Sequence, residues 1–278
     1  MRNKVTSNKK VIYVTDIHGD KLFVEELFKN VKERKIKNVI IGGDIVGSID
    51  VAEQIHEKLN GTNSSIEEYI KEFKIAHNAL IKKLLLEIGL FKSENKVNFY
   101  LLPGNDDWFD LNILDVAERN KVIKNLHMRV HKIGDLLIAG CAFIPYTPFG
   151  TNFETEDKNL YDYLKKIAID PKRTIYVIHT PPSKTEISVG AVGDLGSESV
   201  RNFIERYQPP LTLHGHIHES ILITGKWITK IKNAISINPG RIGGKFTGVI
   251  FDLEKISERE FEYVNSNLPI NRFIDLIY

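Results

Sequence analysis

Short runs of β-branched and aliphatic residues alternate with amphipathic stretches along the first hundred positions. Lys10-Val-Ile-Tyr-Val-Thr15 predicts a strand that stops at Asp16-Ile-His-Gly-Asp20. Leu22, Phe23, Leu27, Phe28 and Val31 then share one helical face. Asn38-Val-Ile-Ile41 returns to strand and ends in Gly42-Gly-Asp-Ile-Val-Gly47. Strand, helix and strand in this order predict a βαβ unit with a parallel pair. Open sheets of that kind hold ligands beyond the carboxyl ends of their strands. The polar residues after both runs are therefore expected to share a rim.

From about 50 to 95 the pattern changes to helix. Ile66, Ile70, Phe73, Ala76, Leu80 and Leu84 lie three or four apart, with charges between them. A break at Asn60-Gly-Thr-Asn-Ser-Ser65 precedes this stripe, and Ser64 or Ser65 can cap the longer helix. The segment reads as a helical insertion between two core strands. Further strands are predicted at 97–102, 136–140, 174–179 and 211–214, and helices at 157–168 and 197–207. Beyond His218 the runs 221–224, 227–231, 234–237 and 247–253 are short and alternating, which predicts hairpins forming a second sheet. With no internal repeat, residues 1–278 read as a single α/β domain carrying a helical insertion at about 50–95.

Composition narrows the class. The chain has 278 residues, 42% hydrophobic and 27% charged, as in ordinary globular proteins. Lys plus Arg is 38 and Asp plus Glu is 36, so the net charge is 38 − 36 = +2. So small an excess argues against nucleic acid as a generic partner. The single cysteine, Cys141, excludes an internal disulfide framework and a Cys-rich zinc module. No apolar stretch approaches the roughly 18–20 residues that span a bilayer, and the polar, basic start does not resemble a leader. A soluble, cytoplasmic protein with no membrane partner is expected.

Five polar clusters each follow a strand-like run: Asp16-Ile-His18, Gly43-Asp44, Gly104-Asn105-Asp106-Asp107, His179, and Gly215-His216-Ile-His218. Singly they are common turn sequences. Together they place carboxylates, an amide and imidazoles at comparable strand ends. This thiolate-free donor set suits divalent Mn, Fe, Zn, Co or Ni better than a structural zinc cage. Seven ligands are too many for one catalytic ion that must keep an open position, and about right for two ions sharing a carboxylate. Two such ions roughly 3.5–4 Å apart can hold a hydroxide and clamp an in-line displacement at phosphorus. Phosphoester hydrolysis of a small substrate is the favoured reaction class.

These blocks resemble the signature of the calcineurin-like metallophosphoesterase superfamily, in its order, from Asp16 to His218, with Asn238-Pro-Gly240 extending the likeness. The resemblance implies a four-layer α/β/β/α sandwich of two mixed sheets with the metals at one edge. It implies that Asp16, His18, Asp44 and His218 hold one ion, and that Asp44, Asn105, His179 and His216 hold the other. His179-Thr-Pro-Pro182 and His216-Ile-His-Glu219 are also similar to its smaller prokaryotic-type members. One position departs. The family reads Gly-Asn-His, where the His binds substrate and protonates the leaving oxygen, and here Asp106 stands in its place. An ionised Asp106 would repel a dianionic monoester more than a monoanionic diester, which points to phosphodiesters. Alternatively Asp106, protonated through Asp107, would itself be the acid. A nuclease on the same site, or a scaffold that kept the fold without turnover, are the rival readings.

Other residues receive blander readings. His214 is assigned a hydrogen-bonded structural role, and His127 and His131 none. His56 and His77 are expected on the surface of the insertion. Arg241 is a candidate contact for a phosphate oxygen, provided its loop approaches the metals. The Asn105 amide is a second candidate donor to phosphate. Gly190 to Ser197 is Gly-rich but lacks the Gly-Lys-Ser/Thr of a Walker loop, and reads as a mobile segment.

Overall fold

A computed structural model describes residues 9–267 apart from 48–52, 54, 57–58 and 60–64. Residues 60–64 of the break expected at 60–65, and most of the early insertion, lie outside the described residues.

In the first half, strands β1 (Lys10–Val14), β2 (Asn38–Ile41), β3 (Asn98–Leu101) and β4 (Lys124–Asn125) alternate with helices α1 (Lys21–Glu33), α2 (Ile66–Asn95) and α3 (Asn112–Arg119). Next come β5 (Val130–Ile133), β6 (Leu136–Cys141), β7 (Ile144–Pro145), β8 (Glu154–Thr155), α4 (Asp157–Lys166) and β9 (Thr174–Ile178). The remainder comprises β10 (Val189–Gly190), β11 (Gly193–Asp194), α5 (Glu198–Tyr207), β12 (Leu211–Leu213), α6 (Ser220–Thr224), β13 (Ile228–Ile231), β14 (Ala234–Ile237), β15 (Lys245–Asp252) and β16 (Phe261–Asn267). One six-stranded sheet runs β16-β15-β1-β2-β3-β4, and the other runs β13-β14-β12-β9-β6-β5. In the first sheet β1, β2, β3 and β4 are parallel while β15 and β16 pair antiparallel at one side; in the second β14, β12, β9 and β6 are parallel and the edge strands β13 and β5 are antiparallel.

Because side chains alternate across a strand, β1 serves two cores. Ile12 and Val14 join Val39, Ile41, Phe99 and Leu101 against α1, α2 and α3. Val11 and Tyr13 turn to the other sheet and meet Ile175, Val177, Leu211 and Leu213. The far face of that sheet, with Tyr176 and Ile178, packs on Leu160 and Leu164 of α4 and on Phe203 of α5. Three apolar layers between four structural layers make the α/β/β/α sandwich. No helix among the described residues is long and apolar enough to cross a membrane.

Local signals fix the helix starts. Asp20 accepts the Phe23 N–H at 3.0 Å and begins α1. Ser65, rather than Ser64, opens α2 with a full capping box closed by Glu68. Ser197 caps α5 through the Val200 N–H at 3.1 Å.

The tail differs from expectation. Its strands do not make a sheet of their own: β13 and β14 complete one sheet, while β15 and β16 join the other beside β1. Residues 221–224 belong to the short helix α6, not to a strand. The Gly-rich stretch is a hairpin, β10 with β11, tied by Asp194 to the Ser188 hydroxyl at 2.6 Å and the Lys184 N–H at 2.7 Å.

The two sheets are fastened at the edge where their parallel strands end. The fully buried Tyr13 hydroxyl donates to the His214 carbonyl at 2.8 Å. Tyr13→Phe leaves that buried carbonyl without this donor, so urea unfolding is expected to show a loss of about 1–2 kcal/mol. An unchanged midpoint would mean that the bond does not clasp the sheets.

Candidate metal centre

All five chemistry-bearing loops leave the carboxyl ends of parallel strands: β1, β2 and β3 in one sheet, β9 and β12 in the other. The first two loops continue pairing beyond their strands. The Asp16 N–H donates to Gly43 O and the His18 N–H to Asp44 O, both at 2.9 Å. The second sheet supplies the Gly215 N–H to His179 O at 2.9 Å. Asp16, His18, Asp44 and His216 all take left-handed backbone conformations, with φ between 48° and 66°. Such a conformation costs a non-glycine residue energy and persists only where its surroundings impose it.

Two groups of possible ligand atoms result, each within 4.8 Å of one another: Asp16, His18, Asp44 and His218; and Asp44, His179 and His216. Asp44 belongs to both. Asn105 joins the second group, its Oδ1 lying 3.1 Å from His179 Nε2, which is itself 3.1 Å from Asp44 Oδ2. The seven residues singled out in the sequence thus converge at one edge.

Hydrogen bonds behind these atoms aim their lone pairs inward. His18 Nδ1 is bonded to the Gly47 carbonyl, and His179 Nδ1 to the Gly42 carbonyl at 2.9 Å. A carbonyl only accepts, so Nδ1 carries the proton in each ring and Nε2 is left for the interior. Asp16 Oδ1 accepts the His216 N–H at 3.0 Å, while its Oδ2 and the His18 Nε2 are buried without hydrogen-bond partners among the described residues. Orphaned polar atoms of this kind are costly, and a divalent cation would satisfy them. The residues present fit the ions that the donor chemistry implies.

Close approach restricts two positions to glycine. A Cβ on Gly104 would lie 2.2 Å from the Asp44 carboxylate, and one on Gly215 would lie 2.2 Å from Thr15 Oγ1.

Charge crowding shifts the titration of the group. Burial alone would lower His179, but the Asp44 carboxylate more than offsets it and holds the imidazole near a pKa of 9. Burial opposes ionisation of Asp44 too, yet His179, His18 and His216 keep it well below the usual carboxylate range. Burial, then the charge of His179, pushes His216 down to about 3. Burial and the Asp44 charge push Asp106 up to about 6 and Asp107 up to about 7.

Asp107 is placed to build the site rather than to act in it. It accepts the N–H groups of Ile45, Val46 and Gly104 at 2.8–3.0 Å, and so binds the loop after β3 to the loop after β2. Asn238 does the same in the other sheet, donating to the carbonyls of Gly215 and Ile217 and accepting the Gly240 N–H at 3.0 Å. Neither role is visible in the sequence, although Asp107 ends the Gly104–Asp107 cluster and Asn238 opens Asn238-Pro-Gly240.

The remaining candidates separate. Asp106 accepts from Asn105 Nδ2 at 3.1 Å, and its N–H donates to Asp44 Oδ1 at 2.8 Å, so it borders the ligand groups. Arg241 reaches the loop through its N–H, 3.1 Å from His218 O. Its guanidinium, however, is paired with Asp20, donates to Lys245 O at 2.6 Å and lies over the Phe23 ring. That side chain is committed to holding the start of α1, which removes the expected phosphate contact. His214 is fully buried and bonded to Ile178 O, Thr180 O and Thr212 Oγ1, a structural role. His127 packs between Phe143 and Phe153, and His131 bonds to Asn125 O at 2.8 Å. His56 is exposed, but His77 is not a surface residue. It is buried, with Nδ1 accepting the Trp108 N–H at 3.0 Å.

Comparison with known proteins converges on the same region. A profile described as calcineurin-like phosphoesterase matches residues 9–220. An uncharacterized protein of Methanocaldococcus jannaschii, MJ1162, is 30% identical over 143 residues, which cover 50% of this chain and 62% of that protein. One crystal structure superposes with a TM-score of 0.71 at 20% identity, covering 94% of this chain and 99% of the other. The protein TT1561 of Thermus thermophilus does so with 0.59 at 16%, covering 92% and 98%. A dimetal phosphatase from Danio rerio gives 0.52 at 10%, covering 87% and 91%. The structural likenesses carry the fold, and the profile, spanning most of the chain and every candidate ligand loop, makes this protein a member of the calcineurin-like phosphoesterase family.

Proposed function

We propose that this protein is a dinuclear metal-dependent phosphoesterase that favours phosphodiesters. The observation that carries the reading is the position of Asp44, one carboxylate common to two groups of possible ligands. Bound divalent ions would supply Lewis-acid polarisation of a phosphoryl oxygen and activation of water at neutral pH; manganese suits the donor set. The chain's own residues do the rest. Asp44 sets the spacing of the two groups, while His18 and His179 present Nε2 because carbonyls hold their Nδ1 protons. Asn105 is fixed at its amide by Asp106 Oδ1 and by Thr151 Oγ1 at 3.2 Å. Its other face is directed at His179.

Diester preference follows from Asp106. Where the family motif has a neutral or cationic histidine, this chain presents a carboxylate that is largely ionised above its raised pKa of about 6. Its charge disfavours a dianionic monoester more than a monoanionic diester. The paired loss of a general acid, worth roughly 10²–10⁴-fold, falls hardest on esters with poor leaving groups. The nuclease reading gains nothing from the net charge of +2.

Protons and cations compete for the same atoms. A histidine whose pKa rises on folding contributes stability that is present below the unfolded value of about 6.5 and lost as pH climbs through the folded value. For His179 that loss is complete near pH 9. Asp106 and Asp107 act in the same direction up to about 6 and 7, because the folded chain retains their protons where the unfolded chain has released them. His216, His77, His127 and His214 are all lowered, to about 3 or 4, so they work oppositely but only below the unfolded histidine range.

In chelator, the unfolding free energy from urea titrations is therefore expected to fall between pH 7 and pH 9, with a shallower fall in His179→Gln. Stability rising over that interval would contradict the charge assignment. With Mn²⁺ at about 100 times its dissociation constant, the folded state gains roughly 2.7 kcal/mol. Asp44→Asn is expected to abolish most of that gain in a thermal melt, and to cut turnover of bis(4-nitrophenyl) phosphate at least about 10³-fold, as expected when charge stabilisation at the reacting centre is lost. Wild-type protein that takes up Mn²⁺ but hydrolyses no ester would favour the scaffold reading. Finally, Asp106→His is expected to raise the ratio of monoester to diester turnover in Mn²⁺, measured with the two nitrophenyl esters. A wild-type enzyme already faster on the monoester would overturn the diester preference.

A further inference from the structure

The stripe on α2 does not do one job along its length. From His77 onward its apolar residues Ile81, Leu84, Leu85, Ile88 and Phe91 are buried in the core. The first turns diverge: Ile66 is 77% exposed, and Tyr69, Ile70 and Phe73 are only half-buried. These residues line a cavity of about 470 Å³, whose wall continues through Trp108, Phe149 and Thr151 to Asp106. That volume lies in the range of small-molecule sites, roughly 300–1,000 Å³.

The cavity abuts the metal-ligand groups through one residue. Asn105, a candidate ligand, donates both to Asp106 Oδ1 and to Thr151 Oγ1, and both of those residues line the cavity. A phosphoester centred at the ligand groups would therefore extend one of its organic groups into this space. The wall specifies that group. Tyr69, Phe73, Trp108 and Phe149 contribute four aromatic rings, with Phe73 and Trp108 centroids 6.4 Å apart and tilted by 43°. Among the described residues no Lys or Arg lines the space, and the one carboxylate there is Asp106. An additional anionic group is disfavoured there, whereas a flat, uncharged π-face is favoured by stacking.

We propose that this cavity is the specificity site of the enzyme and accepts a planar aromatic group of the phosphoester, an aryl ring or a nucleobase. The proposal rests on the phosphoesterase reading for the position of the phosphate. It assigns Phe73, Trp108 and Phe149 to substrate binding and leaves the metal ligands as already described.

The test is a binding titration that needs no turnover. Trp108 and Trp227 are the two tryptophans, so Trp227→Phe makes Trp108 the sole indole reporter. The full-length Mn²⁺-loaded protein is titrated with methyl-, octyl- and phenylphosphonate and with the phosphonate analogue of adenosine monophosphate, each as its O-methyl ester, a monoanion that mimics a diester. The P–C bond resists hydrolysis. Phenylphosphonate or the nucleotide analogue is expected to quench Trp108 and bind at least about tenfold tighter than the methyl and octyl compounds, the scale of one base–aromatic stack. Comparing the two aromatic probes separates an aryl ester from a nucleotide. Phe73→Ala and Phe149→Ala, added separately, are each expected to reduce that preference severalfold. Phe149 is 82% exposed, so its variant tests the cavity without disturbing the core. Octylphosphonate binding as tightly as the aromatic probes, a preference unchanged in both variants, or no quenching by any probe would overturn the proposal. Aromatic binding without hydrolysis of any ester would remove the phosphoesterase reading and keep the site. Hydrolysis of small esters without aromatic preference would do the reverse.

Discussion

Asp44 is held without solvent between histidines from both sheets, and the architecture around it exists to make that burial tolerable. An isolated carboxylate taken out of water costs several kcal/mol even after relaxation. Here the cost is offset by His179 from the loop after β9, by His18 from the loop after β1 and by the Asp106 N–H. The protein has two ways of balancing the same charge. One is to keep a proton on His179, the other to exchange that proton for a cation. Because both partners of Asp44 present Nε2 from rings anchored at Nδ1, the exchange requires no rotation of either ring. If the site takes an ion as proposed, it would be organised before the ion arrives, which is how electrostatic stabilisation avoids reorganisation at the moment of reaction.

That preorganisation is a property of the backbone as much as of the side chains. The loops after β1 and β2 keep pairing past the end of the regular strands, and the loop after β3 is drawn onto the second of them by the Ile45 and Val46 N–H groups that Asp107 accepts. In the opposite sheet Asn238 braces Gly215 and Ile217, while Tyr13 spans the seam to His214. Four residues of the ligand set sit in left-handed conformations. Local strain of this kind requires a surrounding structure with several independent restraints, and the three braces supply them.

Much of this was legible in the sequence because its signals are local. β2 falls at the residues read as strand, Ser65 is the cap of α2, and six of the candidate ligands, each just past a strand-like run, cluster within reach of one another. What escaped was information held between distant segments. Alternation in the tail identifies strands but not their neighbours. Nothing local distinguishes β13 and β14, which extend one sheet, from β15, which pairs with β1 from the opposite end of the chain, Lys10 against Asp252. The Ile221–Thr224 run is too short for periodicity to separate helix from strand. Arg241 carries the right charge in the right loop, yet Asp20, far away in sequence, takes its guanidinium. His77 lies on a charged helix and reads as surface until Trp108 is brought over it.

The same limit explains why the stripe on α2 could not be parsed. Periodicity reports that Ile66, Ile70 and Phe73 lie on one side of the helix with Leu84, and burial is the ordinary reason for such a pattern. The fold supplies core for only part of that length, since the sheet beneath α2 ends where the loops of the site begin. Past that edge, the same apolar face meets the margin of a charged site. Retaining apolar residues there has a cost in exposed surface, and neither the core nor the metal ligands gains from it. An aromatic group of a bound ester would recover that cost only when its phosphate lies at the ligand groups. On the proposed reading, the residues that the core leaves unused would thus be the ones most able to distinguish one ester from another, while the candidate ligands would fix only that there is phosphorus to attack.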